Sequence, residues 1–177
     1  MNPAGNAEPM VSLNEIEAYL RVESGVEEAL LAGLNRSASS LCEAFINQVG
    51  VARPFAERLP QTSGWQALEV IPVRSIDEVR LVAADGTTAI LPVGNYLVEI
   101  DVRGCGWVRL TAPVTGQHLL VRGSAGLASD ANDLPEPLRQ GVIRLVAHLF
   151  ASRDGEGGDP PAAVTALWRP FRRIRLV

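Results

Sequence analysis

The chain has 177 residues, a hydrophobic content of 47% and a formal net charge of −4. This composition is typical of a folded, water-soluble protein, and the acidic balance argues against broad nucleic-acid binding. No apolar run is long enough to cross a bilayer and the N-terminus lacks a signal-peptide pattern, so Cys42 and Cys105 are expected to be free thiols in the cytoplasm.

The N-terminal part of the chain is predicted to be helical after a disordered leader over residues 1–11. Ser12 and Glu15 have the spacing of a capping box, which indicates the start of a short helix. A second, longer helix is predicted from about Val26 to Val49, and the short link predicts an antiparallel pair of helices. An apolar stripe at helical spacing marks its core-facing side: Leu30, Leu34, Ala38, Leu41, Phe45 and Val49.

The middle of the chain changes to the alternation that is typical of strands. Residues 51–65 have turn chemistry and little periodicity, and an antiparallel β-region is predicted over about 66–123. Asp85 and Gly86 form a strong hairpin-turn signal within it. The predicted strands cover residues 67–73, 78–84, 87–91, 96–102, 107–111 and 119–122.

The most strongly periodic segment is a helix predicted from Leu134 to Arg153, capped by Asp133. Gly141 disfavours this helix by about 1 kcal/mol relative to alanine. It indicates either the close approach of a neighbouring element or a neutral sequence change. The apolar arc of the helix consists of Leu138, Val142, Leu145, Val146, Leu149 and Phe150, and the opposite arc of Gln140, Arg144, Ala147, His148 and Ala151.

The last 23 residues, 155–177, are predicted to form a flexible Gly/Pro-rich break and a docking tail, with one turn of helix at residues 162–167. The closing sequence WRPFRRIRLV carries two aromatic side chains, three aliphatic ones and four arginines. Because Pro170 disfavours a helix, we expect an extended segment that lies in a groove or on a sheet edge of a partner protein. The alternatives are a tail that folds back on its own domain, or nucleic-acid binding by the arginines.

A search for catalytic patterns yields none. His118 and His148 have no metal-ligand spacing with cysteines or carboxylates, and phosphate-binding and nucleophile-elbow motifs are absent. Cys105 lies in a Gly-flanked turn and has no neighbouring base in the sequence that would activate it. We therefore predict no catalytic residue, no cofactor and no metal site.

The order of these features resembles the head–tail connector (adaptor) proteins of tailed bacteriophages, prophages and gene transfer agents. The resemblance rests on SLNEIEAYLRVESGVEEALLAGLNRSASSLCEAFIN, LEVIPVRSIDEVRLVAADG with NYLVEI, LPEPLRQGVIRLVAHLFASRD, and ALWRPFRRIRL. It implies an α+β fold: a helical-bundle framework of two N-terminal helices and one long C-terminal helix, an inserted antiparallel β-region and an extended C-terminal tail. Residues 12–154 are then a single connector domain.

The resemblance also implies a non-enzymatic role. Such proteins form a homo-oligomeric ring under the portal protein, extend the channel through which DNA passes, and recruit the next tail-side (stopper) protein. They assemble in the bacterial cytoplasm and remain in the particle, without a membrane. The portal-docking residues are then Trp168, Arg169, Pro170, Phe171, Arg172, Arg173, Arg175 and Leu176.

Contacts between subunits are expected where charged helix faces meet. The polar arc of the long C-terminal helix offers Arg144 and His148, and the start of the second helix offers Glu27 and Glu28. Individual Arg–carboxylate contacts are weak, but a ring repeats them.

Two alternatives remain open from the residues themselves. The first is a small module that binds a ligand or a nucleic acid on its β-region, where Trp65, Tyr96 and Trp107 would form an aromatic platform. The second is an enzyme that uses Cys105.

Overall fold

The computed structural model describes residues 4–23, 25, 27–152 and 160–174. The predicted α+β class is confirmed, with four α-helices and two antiparallel sheets in these ranges. Where the sequence predicts a single domain, the residues group into two compact units. Of the described residues, the β unit comprises Ala52–Gly126 with Ala4 and Gly5, and the helical unit comprises those from Asn6 to Val51 and from Leu127 to Ile174.

The helical unit contains all four α-helices and one continuous apolar core. Among the described residues, none of the helices is both long and apolar enough to span a membrane. The helices are α1 (Leu13–Leu20), α2 (Glu28–Ile46), α3 (Glu136–Ala151) and α4 (Ala162–Trp168).

The capping box predicted at the start of α1 is confirmed. The Ser12 hydroxyl accepts a hydrogen bond from the Glu15 backbone N–H at 3.3 Å, and the Glu15 carboxylate accepts one from the Ser12 N–H at 3.1 Å. The same carboxylate pairs with Arg139 on α3. Burial raises the pKa of Glu15, but the bonds from Ser12 and the charge of Arg139 outweigh it, so the pKa lies below its ordinary value.

The disordered leader predicted over residues 1–11 is wrong at its C-terminal end. Met10 and Val11 are 0% and 2% exposed and belong to the helical core. Two polar side chains of α2 hold them, because Ser39 accepts a hydrogen bond from the Met10 N–H at 3.1 Å and Asn35 donates one to the Val11 carbonyl at 2.7 Å.

The core-facing side of α2 is displaced by about one residue from the predicted stripe. Leu30 and Leu41 are 40% and 44% exposed. The helix ends at Ile46, where Asn47 adopts the left-handed conformation, three residues before the predicted end at Val49. The buried positions are Leu31, Asn35, Ala38, Ser39, Cys42, Glu43 and Ile46.

Helix α3 begins two residues after the predicted start, and its apolar arc is largely confirmed. Pro135 occupies the N-cap position without a side-chain hydrogen bond, so the predicted Asp133 cap is wrong. Asp133 belongs to a short 3-10 turn, in which Asp130 accepts a hydrogen bond from the Asn132 N–H. Arg153, the predicted end of the helix, lies outside the described residues. The buried positions are Leu138, Gly141, Val142, Ile143, Leu145 and Val146.

The β unit contains two antiparallel sheets. The strand order is β1-β7-β3-β4 in one sheet and β2-β6-β5 in the other. The predicted turn at Asp85 and Gly86 joins β3 to β4, and Gly86 has a positive φ of 83°. The strands are β1 (Arg53–Pro60), β2 (Gln66–Ala67), β3 (Val73–Val82), β4 (Thr88–Ile90), β5 (Tyr96–Ile100), β6 (Gly106–Leu110) and β7 (His118–Ala125).

Strand β1 lies in the segment for which the sequence predicts turns. Its side chains alternate strictly between buried and exposed, but two of the four buried ones are Arg53 and Glu57. Arg53 donates a hydrogen bond to the Ala4 carbonyl at 2.8 Å, and Glu57 accepts bonds from the Glu69 and Val70 N–H groups at 2.6 and 3.1 Å. Because charged residues occupy two of the inward positions, the sequence of β1 lacks the alternation of apolar and polar residues by which a strand is predicted.

Candidate docking surface

The C-terminal segment is anchored in the helical unit by Trp168. Residues 162–168 form helix α4, after Pro160 and Pro161. Trp168, at the end of α4, is fully buried at 0% exposure, and its indole N–H donates to the Leu138 carbonyl at 3.3 Å. Its ring packs at a tilt against Phe45 of α2, with 5.9 Å between centroids. Trp168 is therefore a core residue that fixes α4 to α2 and α3.

The indole of Trp168 packs directly on the backbone of α3 at Gly141. A Cβ atom at Gly141 would lie 2.8 Å from Cδ1 and Cε2 of the Trp168 ring, and closer still to its Nε1 atom. Cβ atoms essentially never come so close to other heavy atoms. Of the two interpretations that the sequence left open for Gly141, the structure supports the close approach of a neighbouring element, and that neighbour is the residue that anchors the C-terminal segment.

Beyond Trp168 the chain runs across the C-terminal end of α2. The Arg173 N–H donates to the Ile46 carbonyl at 2.8 Å, which satisfies one of the carbonyls left open at the end of a helix. Gln48 donates to the Phe171 carbonyl at 2.6 Å, and the Arg172 guanidinium lies 5.6 Å from the centroid of the Phe45 ring. We call residues 169–174 the basic strip.

The basic strip presents charge to solvent from a fixed backbone. It contains three arginines and no acidic residue. Arg169, Pro170 and Arg172 are exposed, Phe171 and Arg173 are half-buried. Ile174 is 79% exposed. Cations at this place also complement the negative end of the α2 dipole.

The turn of helix predicted at residues 162–167 is confirmed as α4, but the extended segment expected after it is wrong for residues 168–171, which end α4 and form a 3-10 turn. Pro170 does not prevent this, because it lies near the start of a 3-10 turn, where a missing N–H is harmless. Trp168, which was predicted to dock on a partner, is buried in its own helical unit, as the alternative of a tail that folds back predicts. Arg175 and Leu176, also predicted to dock, lie outside the described residues. A docking role for the rest of the segment stays a prediction.

The residues predicted to form contacts between subunits all lie in the helical unit. Glu27 and Glu28 are exposed at the start of α2, where Glu27 has a left-handed backbone with a φ of 60°. On α3, Arg144 is exposed and His148 is half-buried. The role of these four residues in contacts between subunits stays a prediction.

The aromatic residues of the alternative binding module are only partly exposed. Trp65 is 41% exposed, but the Arg109 guanidinium covers its ring at 5.1 Å from the centroid. Tyr96 and Trp107 are half-buried. One face of the most exposed ring is thus already occupied, which does not favour a stacking platform for bases.

Cys105 lies in the turn between β5 and β6. Its backbone N–H donates to the Asp101 carboxylate at 2.8 Å, which stabilises the β5–β6 turn. Bonds from the Cys105 and Arg103 N–H groups lower the pKa of Asp101. In the described ranges, histidine, cysteine and carboxylate side chains form no group suited to a metal ion.

Solved structures of particle necks share the fold of this chain. No family model matches the sequence, and no curated protein matches it. The first structure is the neck of an empty gene transfer agent particle with sixfold symmetry: 25% identity, 100% of this chain and 95% of that chain covered, TM-score 0.76.

Two further matches come from native particles of the same kind. In the neck with twelvefold symmetry, the identity is 24%, the coverage 91% of this chain and 90% of that chain, and the TM-score 0.72. In the virion of the native gene transfer agent, the identity is 24%, the coverage is 98% of this chain and 96% of that chain, and the TM-score is 0.75. The predicted resemblance to the connector proteins of gene transfer agents is confirmed.

Proposed function

We propose that this chain is a structural component of the neck of a tailed phage or phage-like particle. In this proposal, copies form a ring under the portal, extend the DNA channel and recruit a tail-side protein. The observation that carries the proposal is the likeness to neck proteins over the whole chain, at a TM-score of 0.76. Two of the neck structures have sixfold and twelvefold symmetry, which supports a ring of identical copies.

The proposed role is one of assembly and involves no bond-making chemistry. The helical unit provides the bundle framework of the ring wall, with Glu27, Glu28, Arg144 and His148 at contacts between subunits. DNA passes through the channel without base-specific contacts. The net charge of −4 supports this, because an acidic protein does not attract the DNA phosphates. Assembly takes place in the bacterial cytoplasm, and the ring then remains in the particle.

The basic strip is the proposed contact with the portal. Trp168 contributes indirectly, because its burial fixes α4 and so sets the position of the basic strip. The residues that touch the portal are the exposed Arg169, Arg172 and Ile174. Their side chains are suited to an acidic surface with a small apolar pocket, because arginine forms bidentate bonds to carboxylates and Ile174 is 79% exposed.

A binding experiment with charge-removing variants tests this role. Deleting the segment from Trp168 onward would remove a core side chain, so point substitutions are sharper. The double variant Arg169→Ala/Arg172→Ala removes two exposed guanidinium groups and leaves Trp168 in place. We expect about tenfold weaker binding, or more, to the portal protein encoded in the same genome, measured by surface plasmon resonance.

A matched double variant controls for the loss of positive charge. Arg36 and Arg58 are exposed and lie outside the basic strip. Arg36→Ala/Arg58→Ala changes the net charge equally, and we expect it to bind the portal like the wild type. Equal binding by both double variants would refute the assignment of the strip. A wild-type chain that binds no portal would refute the neck function itself.

A further inference from the structure

Exposed aliphatic side chains are concentrated in one short stretch of the β unit. Among the described residues, eleven large hydrophobic side chains are exposed, and six of them lie between residues 90 and 102. Scattered exposed apolar residues are normal, but such a cluster marks an interaction surface. The six are Ile90, Val93, Leu97, Val98, Ile100 and Val102, exposed by 62%, 79%, 44%, 43%, 38% and 105%.

Strand β5 lies at the centre of this cluster and has an open edge. It is the last strand of the β2-β6-β5 sheet, and four of its five residues are exposed. Leu97 and Val98 point to opposite faces of the sheet, so neither face of β5 is fully covered. An apolar edge strand of this kind is a template for pairing with another strand.

The hydrogen bonds of the β5–β6 pair show which backbone groups are open. Bonds from Asp101 to Cys105 and from Thr111 to Asn95 flank the ladder, both at 3.0 Å. Bonded pairs in an antiparallel ladder alternate, so Leu97 and Glu99 also point toward β6. The N–H and C=O groups of the remaining three residues, Tyr96, Val98 and Ile100, therefore point away from the sheet.

We propose that the open edge of β5 pairs with a second copy of this chain, the neighbour in the ring. This inference rests on the proposed neck function. In a ring of cyclic symmetry each copy contacts the next through two different patches. In a neck with sixfold or twelvefold symmetry every copy has a neighbouring copy, so each copy offers one β5 edge to the next.

The chain also contains a strand edge that is able to accept β5. Strand β4 is the last strand of the β1-β7-β3-β4 sheet, and all three of its residues are exposed. Between them, β4 and β5 carry a single charged residue, Glu99, so pairing them opposes no like charges. A neighbouring copy thus offers both an open ladder and aliphatic side chains of the kind that β5 exposes.

A proline at position 98 tests the pairing. The Val98 N–H makes no bond to β6, so Val98→Pro blocks the outer edge and keeps the inner ladder. Val98→Lys is a second variant that keeps the N–H and places a charge on the edge. Leu41→Lys is the matched control, because Leu41 is 44% exposed, close to the 43% of Val98, and lies on α2, outside the cluster.

The readout is ring formation by the full chain on its portal, observed by negative-stain electron microscopy. We expect rings from the wild type and Leu41→Lys, and at least tenfold fewer from both Val98 variants. Circular dichroism verifies that each variant is folded. Rings formed equally well by Val98→Pro and Val98→Lys would overturn the β5 inference and leave the neck function intact. Absence of rings from the wild type would overturn the neck function.

The identity of the partner is tested by photo-crosslinking in assembled necks. A benzoylphenylalanine at position 98 is expected to give a dimer of this chain. Crosslinks to another neck protein alone would overturn the proposal that a second copy covers β5.

Discussion

The packing of Trp168 on Gly141 makes an unusual prediction for a glycine in the middle of a helix. Gly141→Ala normally stabilises a helix, because alanine has the higher helix propensity by about 1 kcal/mol. Here the new methyl group overlaps the Trp168 ring, which lies 2.8 Å away at Cδ1 and Cε2. We therefore expect the substitution to destabilise the protein.

The size of the destabilisation is estimated from the packing and the hydrogen bond that the Trp168 indole loses. Overpacking in a dense core costs about 1–3 kcal/mol. A shift of the ring also weakens the 3.3 Å hydrogen bond to Leu138, which contributes about 1 kcal/mol. Subtracting the gain in helix propensity leaves a net loss of about 1–3 kcal/mol. Complete expulsion of Trp168 would approach the cost of a Trp→Ala core substitution, about 3–5 kcal/mol.

Urea unfolding followed by circular dichroism measures this loss, and Gly33→Ala is the matched control. Gly33 also lies within a helix, but a Cβ there meets only the end of Arg36 at 4.0 Å. Gly33→Ala should stabilise the protein by up to about 1 kcal/mol. In Gly141→Ala/Trp168→Ala the overlap is gone, so the two losses should not add. If Gly141→Ala is as stable as the wild type, the proposed overlap is wrong.

Three further predictions concern polar groups elsewhere in the fold. Asn35→Ala should lower the free energy of unfolding by about 1–3 kcal/mol in urea titrations, because it leaves the buried Val11 carbonyl without its donor; an unchanged value would contradict this. Glu57→Ala should cost about 2 kcal/mol in the same assay and Glu57→Gln less, since the amide keeps one acceptor oxygen. The contribution of Glu15 is complete above pH 4.5 and is lost as the pH falls through its lowered folded-state pKa. The free energy of unfolding should therefore fall less between about pH 5 and about pH 3 in Glu15→Gln than in the wild type, because the pair with Arg139 is already weakened in the variant.

The parts of the fold that sequence reasoning predicted are those in which apolar periodicity or turn chemistry is strong. In helix α3 the apolar periodicity alone is strong enough, and its buried arc lies where the spacing places it, although the predicted cap is wrong. The β3–β4 hairpin was predicted because Asp85 and Gly86 supply the turn that two alternating strands require. The capping box of α1 is a local pattern that needs no knowledge of the tertiary structure.

The errors occur where polar side chains take inward positions. Arg53 and Glu57 in β1, and Asn35 and Ser39 in α2, are all buried and hydrogen-bonded to backbone distant in sequence. Their partners lie 12–49 residues away, so no local pattern identifies them. The rotation of the α2 stripe and the missed strand β1 have this common cause.

The C-terminal segment combines a correct observation with a wrong inference. Trp168 does avoid water, but it does so within its own helical unit, whereas Ile174 is 79% exposed. A sequence cannot distinguish an aromatic residue kept for a partner from one that fills the space over a glycine 27 positions earlier. Gly141 was the available signal, because the close approach of a neighbouring element to α3 was one of its two interpretations.

The two proposed interfaces predict different changes in the same binding curve. In these proposals the basic strip sets the affinity of a single copy for the portal, whereas the β5 edge links neighbouring copies. In a titration of the chain onto portal rings, Arg169→Ala/Arg172→Ala should shift the midpoint by about tenfold and keep the steepness. Val98→Pro should leave the first copies binding normally and flatten the curve, because it removes the gain from adjacent binding. Identical shifts from both variants would mean that the strip and the edge belong to one interface, and the separation proposed for them would be refuted.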